Sequence, residues 1–512
     1  MKKVYILLAT LVISVSSCKK DFINLTPEDS YNGNTFYKTE DQFKQAVIAA
    51  YAPLRNVLLN DYFTSEMHSD NTIYQPYPSN RGTAYLQREN LSDFTNNSSN
   101  DYANAVWEHC YNGISRTNIV IERLAPMSFD PAVKASIDGE AKFLRALYYF
   151  KLVRLFGALP LFLKEVKSPE EAFINRTPVD AVYQQIIADA TDAINELAAP
   201  VKFPQTGAAT KGSATMLLAE IYATQKKWGE AEKLLNTLAG MGYDLNEKYA
   251  DAFSPTNKNS KESLFEVQYL QGNALGTTPN PLTAQFLPRT TNASVLTGIT
   301  VNNSGNAGWN TPTQDLIDSY EAGDQRLDAS IGIVEGTYTA SNLFTYSANK
   351  SVVNYVPTAG KVGVPYIKKY LHAPLLTSDG SNDNFPIYRY SDALLLLAEA
   401  QNEQGKSPME ALSKVRRRAG LDPVTTTGQA ALRDAIIHER RVELAFENHR
   451  WHDLVRTDKA ISVINAFGAK LKQQVSYLSS DAYNVQPYML ILPLPQYEVE
   501  LNPSGMIQNP GY

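Results

Sequence analysis

The chain has 512 residues, 44% of them hydrophobic, enough to bury one large core without covalent staples. Lys plus Arg is 47 against 53 Asp plus Glu, a formal charge of -6 spread along the chain, which excludes the basic footprint of a nucleic-acid binder. Two cysteines exclude a disulfide framework.

Lys2 and Lys3 precede an apolar run, Val4 to Val15, that is too short to span a bilayer but suits the apolar part of a secretory signal. Ser16 and Ser17 are small enough for a peptidase, and Cys18 supplies a thiol that can be acylated. The expected organisation is a lipoprotein signal over 1–17, a lipidated Cys18 with a polar tether over 18–33, and a single integrated domain over 34–512. An ordinary cleaved signal with an incidental Cys18 is the alternative. Cys110 has no partner left and is expected to be a small buried hydrophobe.

Apolar residues at helical spacing predict a helix over Glu40 to Leu59, through Phe43, Val47, Ala50 and Leu54. From Tyr62 to Asn104 the periodicity collapses into Asn, Ser, Tyr and Pro, a long irregular insert of the kind that carries function. Helices are predicted again at Trp107 to Leu124, at Gly139 to Phe156 before Gly157 and Pro160, and at Pro178 to Leu197 behind Thr177.

Gly212 to Leu238 reads as a helical hairpin, and Ser391 to Ala419 as its second copy, with Leu396-Leu397-Ala398-Glu399 echoing Leu217-Leu218-Ala219-Glu220. Hairpins with a small Ala early in the second helix resemble tetratricopeptide repeats, which gain a core only by stacking. Because some 150 residues separate the copies, the other helix pairs are expected to supply intervening layers. Between the copies only Leu264 to Tyr269 reads as a strand. The fold class is therefore mostly α-helical, a repeat scaffold with long ordered loops and a few short strands. Its two inserts, about 62–104 and 270–385, are expected to converge on one surface.

The segments taken in order resemble the SusD/RagB family of outer-membrane nutrient-binding lipoproteins. The resemblance rests on Cys18-Lys-Lys-Asp-Phe, Trp107 through Tyr111 to Asn118, Gly139-Glu-Ala-Lys-Phe-Leu-Arg-Ala-Leu-Tyr-Tyr-Phe, and Phe156-Gly-Ala-Leu-Pro-Leu. It continues through Tyr388-Arg-Tyr-Ser-Asp-Ala, Val415-Arg-Arg-Arg-Ala-Gly, His438-Glu-Arg-Arg-Val-Glu-Leu-Ala-Phe-Glu, Arg450-Trp-His-Asp-Leu and Gln508-Asn-Pro-Gly-Tyr512. It implies a surface lipoprotein of the outer membrane that captures an oligosaccharide or polysaccharide and hands it to a SusC-like TonB-dependent transporter. Peptide binding is the alternative within the family, and a secreted glycoside hydrolase is the enzymatic rival.

No cofactor, metal or catalytic residue is expected. Glu439, Glu443 and Glu447 repeat at i, i+4 and should repel one another unless arginines neutralise them, with Arg145, Arg389, Arg416 to Arg418, Arg450 and Arg456 as candidates. His449 and His452 near Asp453 have a metal-ligand spacing, but no second pair accompanies them. Gly405-Lys406-Ser407 lacks the earlier glycine of a phosphate loop, and no Gly-x-Ser-x-Gly elbow occurs.

The expected ligand platform comes from the inserts: Tyr62, Asp70, Asn71, Tyr74, Tyr77, Arg81 and Tyr85, with Trp309 from the later one. Tyrosine, used 30 times, offers a ring face for a sugar and a hydroxyl that tolerates water. Packing within the loops is the competing reading of each, and Trp309, close to Pro312-Thr-Gln-Asp-Leu, has the core as its alternative.

Overall fold

A computed structural model describes residues 36–76, 82–272, 274, 276–340, 343–378 and 380–512. The signal, Cys18 and the tether lie outside the described residues.

The N-terminal helical stretch is two helices. Thr39 caps Glu40–Tyr51 through a capping box with Gln42, and Pro53 opens Pro53–Thr64, where its missing N–H costs nothing. The early insert is less irregular than its composition suggests: Thr83–Ser92 is helical, and the next helix, Asp101–Leu124, starts six residues before Trp107 under the Asn100 cap. Asp130 likewise starts Pro131–Phe156 well ahead of Gly139. The early turns bury few residues, Ala103 and Val106 in the first of these helices and none before Ile137 in the second, so an apolar-periodicity reading starts late.

Each helix packs on its neighbour in chain order, from Asp101–Leu124 through Pro131–Phe156 and Val179–Glu196 to the hairpin Lys211–Thr224 with Trp228–Leu235. Gly113 permits the first crossing, since a Cβ there would lie 2.2 Å from the Tyr148 ring, whose hydroxyl donates to the Ala50 carbonyl at 2.8 Å. The free thiol of Cys110 is buried in the same core.

The expectation of intervening layers between the two hairpin copies is corrected. The second copy, Tyr390–Glu403 with Met409–Arg418, packs directly on the first. Strand Ser263–Val267 pairs antiparallel with Phe385–Arg389, which runs straight into the second hairpin and draws it onto the first. The Glu of each Leu-Leu-Ala-Glu echo has the same job. Glu220 receives Arg154 at 2.7 Å and Glu399 receives Arg456, both buried. Other layers continue the stack outward. The later insert holds more strand than its Asn, Thr, Gly and Pro suggest: Ile331–Tyr338 sits between Phe344–Ser351 and Val362–Ile367 in an antiparallel sheet.

Helix Gln429–Glu443 ends before Glu447, so only Glu439 and Glu443 share its face. All three carboxylates are buried and paired. Arg326 reaches Glu439 at 2.6 Å, Glu443 at 3.2 Å and Asp324 at 2.8 Å. Arg389 joins Glu262, Glu443 and Glu447, Arg416 joins Glu439 and Glu321, Arg418 joins Glu262 and Glu443, and Lys369 joins Glu447. Burial works to raise the Glu443 carboxyl, but the Arg418, Arg389 and Arg326 guanidiniums outweigh it and hold it well below the usual range. Three of the arginine candidates thus belong here. Arg145 serves Asp189, Arg450 serves Asp70, Arg456 serves Asp453 and Glu399, and Arg417 is exposed. Arg326 and Lys369, in the loop-rich insert, were not legible as members.

Arg326→Met should cost about 3–5 kcal/mol, because three buried carboxylates lose a shared cation. Urea unfolding checks this, and a loss under about 1 kcal/mol would contradict it.

His68 is fully buried between Phe94 and Trp451, with ring centroids at 3.9 and 4.4 Å, and burial pulls its pKa down to about 4. Between pH 6.5 and 4 the unfolded chain takes this proton and the folded chain refuses it. The contribution is therefore fully present above pH 6.5 and is lost as pH falls toward 4. In His68→Phe the slope of stability against pH in that window should drop by up to about 1.4 kcal/mol per pH unit, read from urea midpoints. An unchanged slope would exclude His68 as the titrating group.

Candidate functional site

The two inserts do converge, through paired backbone. Thr72–Ile73 lies antiparallel to Thr311–Pro312, with Thr72 opposite Pro312 and Ile73 opposite Thr311. The Gln75 N–H donates to the Gly308 carbonyl at 2.7 Å, and Gly308 takes φ 74°, which glycine adopts without strain.

Most of the anticipated platform is spent inside this junction. Tyr62 is fully buried, its ring 5.0 Å from Phe286 and its hydroxyl donating to Gln285 at 3.3 Å. Asp70 is buried and held by Arg450 at 2.8 Å and Arg441 at 3.0 Å. Burial opposes its ionisation, yet the two guanidiniums keep its carboxyl below the usual range. Asn71 is buried too, donating to Glu66 at 2.9 Å and accepting from Arg441 at 2.9 Å. The Trp309 indole N–H donates to the Tyr74 hydroxyl at 3.0 Å, and both rings are 4% exposed. Arg88 covers Trp309 at 3.9 Å from its centroid. Tyr62, Asp70, Asn71, Tyr74 and Trp309 are therefore packed within the junction rather than presented at its surface, held there by ring contacts, hydrogen bonds and ion pairs. Tyr85 is half-buried between Tyr74, at 5.7 Å, and Arg289, at 5.0 Å. Tyr77 and Arg81 lie outside the described residues.

What the junction leaves open is a groove of about 390 Å³. It is lined by Ile73, Gln75 and Pro76, by Thr311–Asp315 and Asp318, by Tyr338 and Val362–Pro365, and by Phe467, Lys470 and Gln474 of helix Ala460–Gln474. Tyr338 is 42% exposed, and its hydroxyl accepts from the Gln75 amide at 3.3 Å. Asp315 is held by Arg441 at 2.9 Å and Lys470 at 3.6 Å, while Gln314 donates to Asp318 at 2.7 Å. An exposed ring fixed at its rim by an amide, above amides and carboxylates, can stack on the C–H face of a sugar and bind its hydroxyls. Tyr338 was missed by sequence reasoning, which had no means to tell it from other insert tyrosines before the sheet was known.

A larger hollow of about 640 Å³ lies between helix Glu40–Tyr51 and strand Ser263–Val267. Val47, Ile48, Leu54, Ile137 and Val267 wall it, and Glu140 and Glu266 are held by Tyr51, Asn259 and Asn384. It belongs to the helical side and lacks the exposed ring. Beside the histidine pair, Arg440 and Arg456 take the Asp453 carboxylate at 2.9 and 2.6 Å, while His452 is buried with its Nε2 unpartnered.

Residues 261–512 match the family described as "SusD family", and residues 21–223 match "Starch-binding associating with outer membrane". The chain belongs to the SusD/RagB family. SusD-like protein P2 of Formosa agariphila is 27% identical over the whole of both chains. A solved laminarin binding SusD-like protein is 26% identical, with a TM-score of 0.73, covering 93% of this chain and 100% of its own. Surface glycan-binding protein A of Bacteroides thetaiotaomicron in complex with laminarihexaose is 23% identical, with a TM-score of 0.72, covering 92% and 100%, a likeness of fold. SusD/RagB membership accounts for the helical stack.

Trp309→Ala should destabilise the protein by about 3–5 kcal/mol, since it removes a buried ring and strands the Arg88 cation above it. Tyr338→Ala should cost less, about 1 kcal/mol, for the lost cross-strand contact with Phe344 at 5.1 Å and the Gln75 hydrogen bond. Denaturant midpoints separate the two, and equal losses would show that Tyr338 is also core.

Proposed function

We propose that this protein is a non-enzymatic, lipid-anchored binding protein of the outer membrane that captures an oligosaccharide or polysaccharide outside the cell. It delivers that glycan to a SusC-like TonB-dependent transporter, which supplies the energy. The observation that carries the reading is the groove between the inserts, with the exposed Tyr338 ring beside Gln75, Gln314 and Asp318. The laminarin-binding relative of the same fold supports a glycan ligand. Tyr77, Arg81 and half-buried Tyr85 are further proposed ligand contacts. Cys18 is the proposed point of lipidation.

Engagement of the groove carboxylates by neighbouring side chains supports a binding role. Asp315 is held by Arg441 and Lys470, and Asp318 accepts from Gln314.

Calorimetry against soluble polysaccharides, laminarin and starch among them, tests the reading. Tyr338→Ala should weaken the bound glycan about tenfold, or roughly 1.4 kcal/mol, while the protein stays folded by its thermal transition. Release of reducing ends by purified protein, or binding of peptides and of no glycan, would overturn it.

A further inference from the structure

Eight arginines are buried among the described residues, and seven of them pair with a carboxylate, as Arg145 does with Asp189 and Arg450 with Asp70. Arg88 is the eighth. No carboxylate pairs with it among the described residues, and its Nε has no hydrogen-bond partner. Rings stand where the counter-ion would be: the guanidinium lies 3.9 Å from the Trp309 centroid, 4.8 Å from that of Tyr102 and 5.9 Å from that of Tyr85. Their faces attract a cation but leave its charge unneutralised.

A second guanidinium faces the same ring. Arg289 is 5.0 Å from the Tyr85 centroid and donates to the Ser304 carbonyl at 2.8 and 2.7 Å. Tyr85, Tyr102 and Arg289 are half-buried, so the cluster reaches the surface through them. Of the acids nearby, Glu89 accepts from the Tyr477 hydroxyl at 3.2 Å, and Asp101 is exposed in the first turn of its own helix. Neither pairs with Arg88. An anion brought by a ligand would meet the guanidiniums beside apolar ring faces, where charge-assisted hydrogen bonds are stronger than in water.

Gln75 joins this cluster to the groove, accepting the Arg289 N–H at 3.2 Å and donating to the Tyr338 hydroxyl at 3.3 Å. The groove has a different charge. Asp315 and Asp318 line it with Lys470, and Asp318 is exposed, which disfavours an acidic group on that side of Gln75.

We propose that Tyr85, Arg88 and Arg289 form a subsite for a carboxylate or sulfate borne by a sugar, so that the ligand is an acidic glycan with neutral sugars beside the charged ones. The inference rests on the glycan-binding function proposed above and adds the ligand's charge to it. The sugar ring stacks on Tyr85, its anionic group turns to the guanidiniums, and a neutral neighbour occupies the groove.

The test is calorimetry of the purified protein against neutral laminarin, starch and xylan and acidic hyaluronan, polygalacturonate and κ-carrageenan, at low and high salt. The tightest ligand should be acidic, and its affinity should fall as salt rises, because screening weakens charge pairing and spares stacking. The chain carries a formal charge of -6, so bulk attraction does not mimic this result. Hyaluronan and polygalacturonate carry carboxylates and κ-carrageenan carries sulfates, so the preferred ligand names the anion. Arg88→Gln and Arg289→Gln should each weaken that ligand about tenfold and leave neutral glycans unaffected. Thermal transitions check that both variants fold, and Arg88→Gln strands no carboxylate. Arg289→Lys should recover part of the loss. A neutral tightest ligand, or an acidic one indifferent to both Gln variants, would overturn the subsite and leave the proposed function standing. Binding of no glycan would overturn both.

Discussion

The buried ion-pair cluster around Glu439, Glu443 and Glu447 is the constraint on which the remainder of the architecture hangs. Its members come from distant parts of the chain. Glu262 precedes one strand of the central pair and Arg389 ends the other, Arg416 and Arg418 close the second hairpin, and Arg326 and Lys369 arrive from the later insert. Charges removed from water are tolerated only while every partner is present. The cluster therefore stabilises one arrangement of scaffold and insert, and it penalises any slip that would strand a charge.

A second set of pairs carries that rigidity to the groove. Arg441, on the same helix as Glu439 and Glu443, binds Asn71, Asp70 and Asp315, and Asp315 lines the groove. Arg450 takes the rest of Asp70. The polar residues that looked like ligand contacts are thus the fasteners by which the helical body grips the insert junction. A groove built on them is preorganised, so a ligand would meet Tyr338 and its neighbours already in place, without the entropic cost of ordering them.

Much of the scaffold was legible because burial imposes a period. Phe143, Ala146, Leu147, Phe150 and Val153 recur at helical spacing because one face of Pro131–Phe156 meets its neighbours, and the two Leu-Leu-Ala-Glu segments match because each packs a hairpin and presents one Glu to an arginine. The inserts were legible only as inserts. Composition marks Asp70, Asn71, Tyr74 and Trp309 as polar or ring-bearing, but it is silent on which of them tertiary packing buries. Tyr338 carried no local signal that distinguished it from Tyr74; Trp309 and Tyr85 pack on Tyr74, whereas Tyr338 ends a strand of another sheet with its ring partly open.

The sequence by itself determined the helical class, the repeat-like hairpins, the family and the need for arginines opposite the stacked carboxylates, since each of these follows from local spacing or ordered motifs. Tertiary structure alone decided that the two hairpins touch, that Arg326 and Lys369 complete the charge cluster, and that an unremarked tyrosine faces the groove while the anticipated ones are core. The physical reason is range. Helical periodicity and i, i+4 repulsion act within a few residues, whereas partner choice for a buried charge or a strand edge is settled between segments hundreds of residues apart, where only the assembled packing selects one pairing.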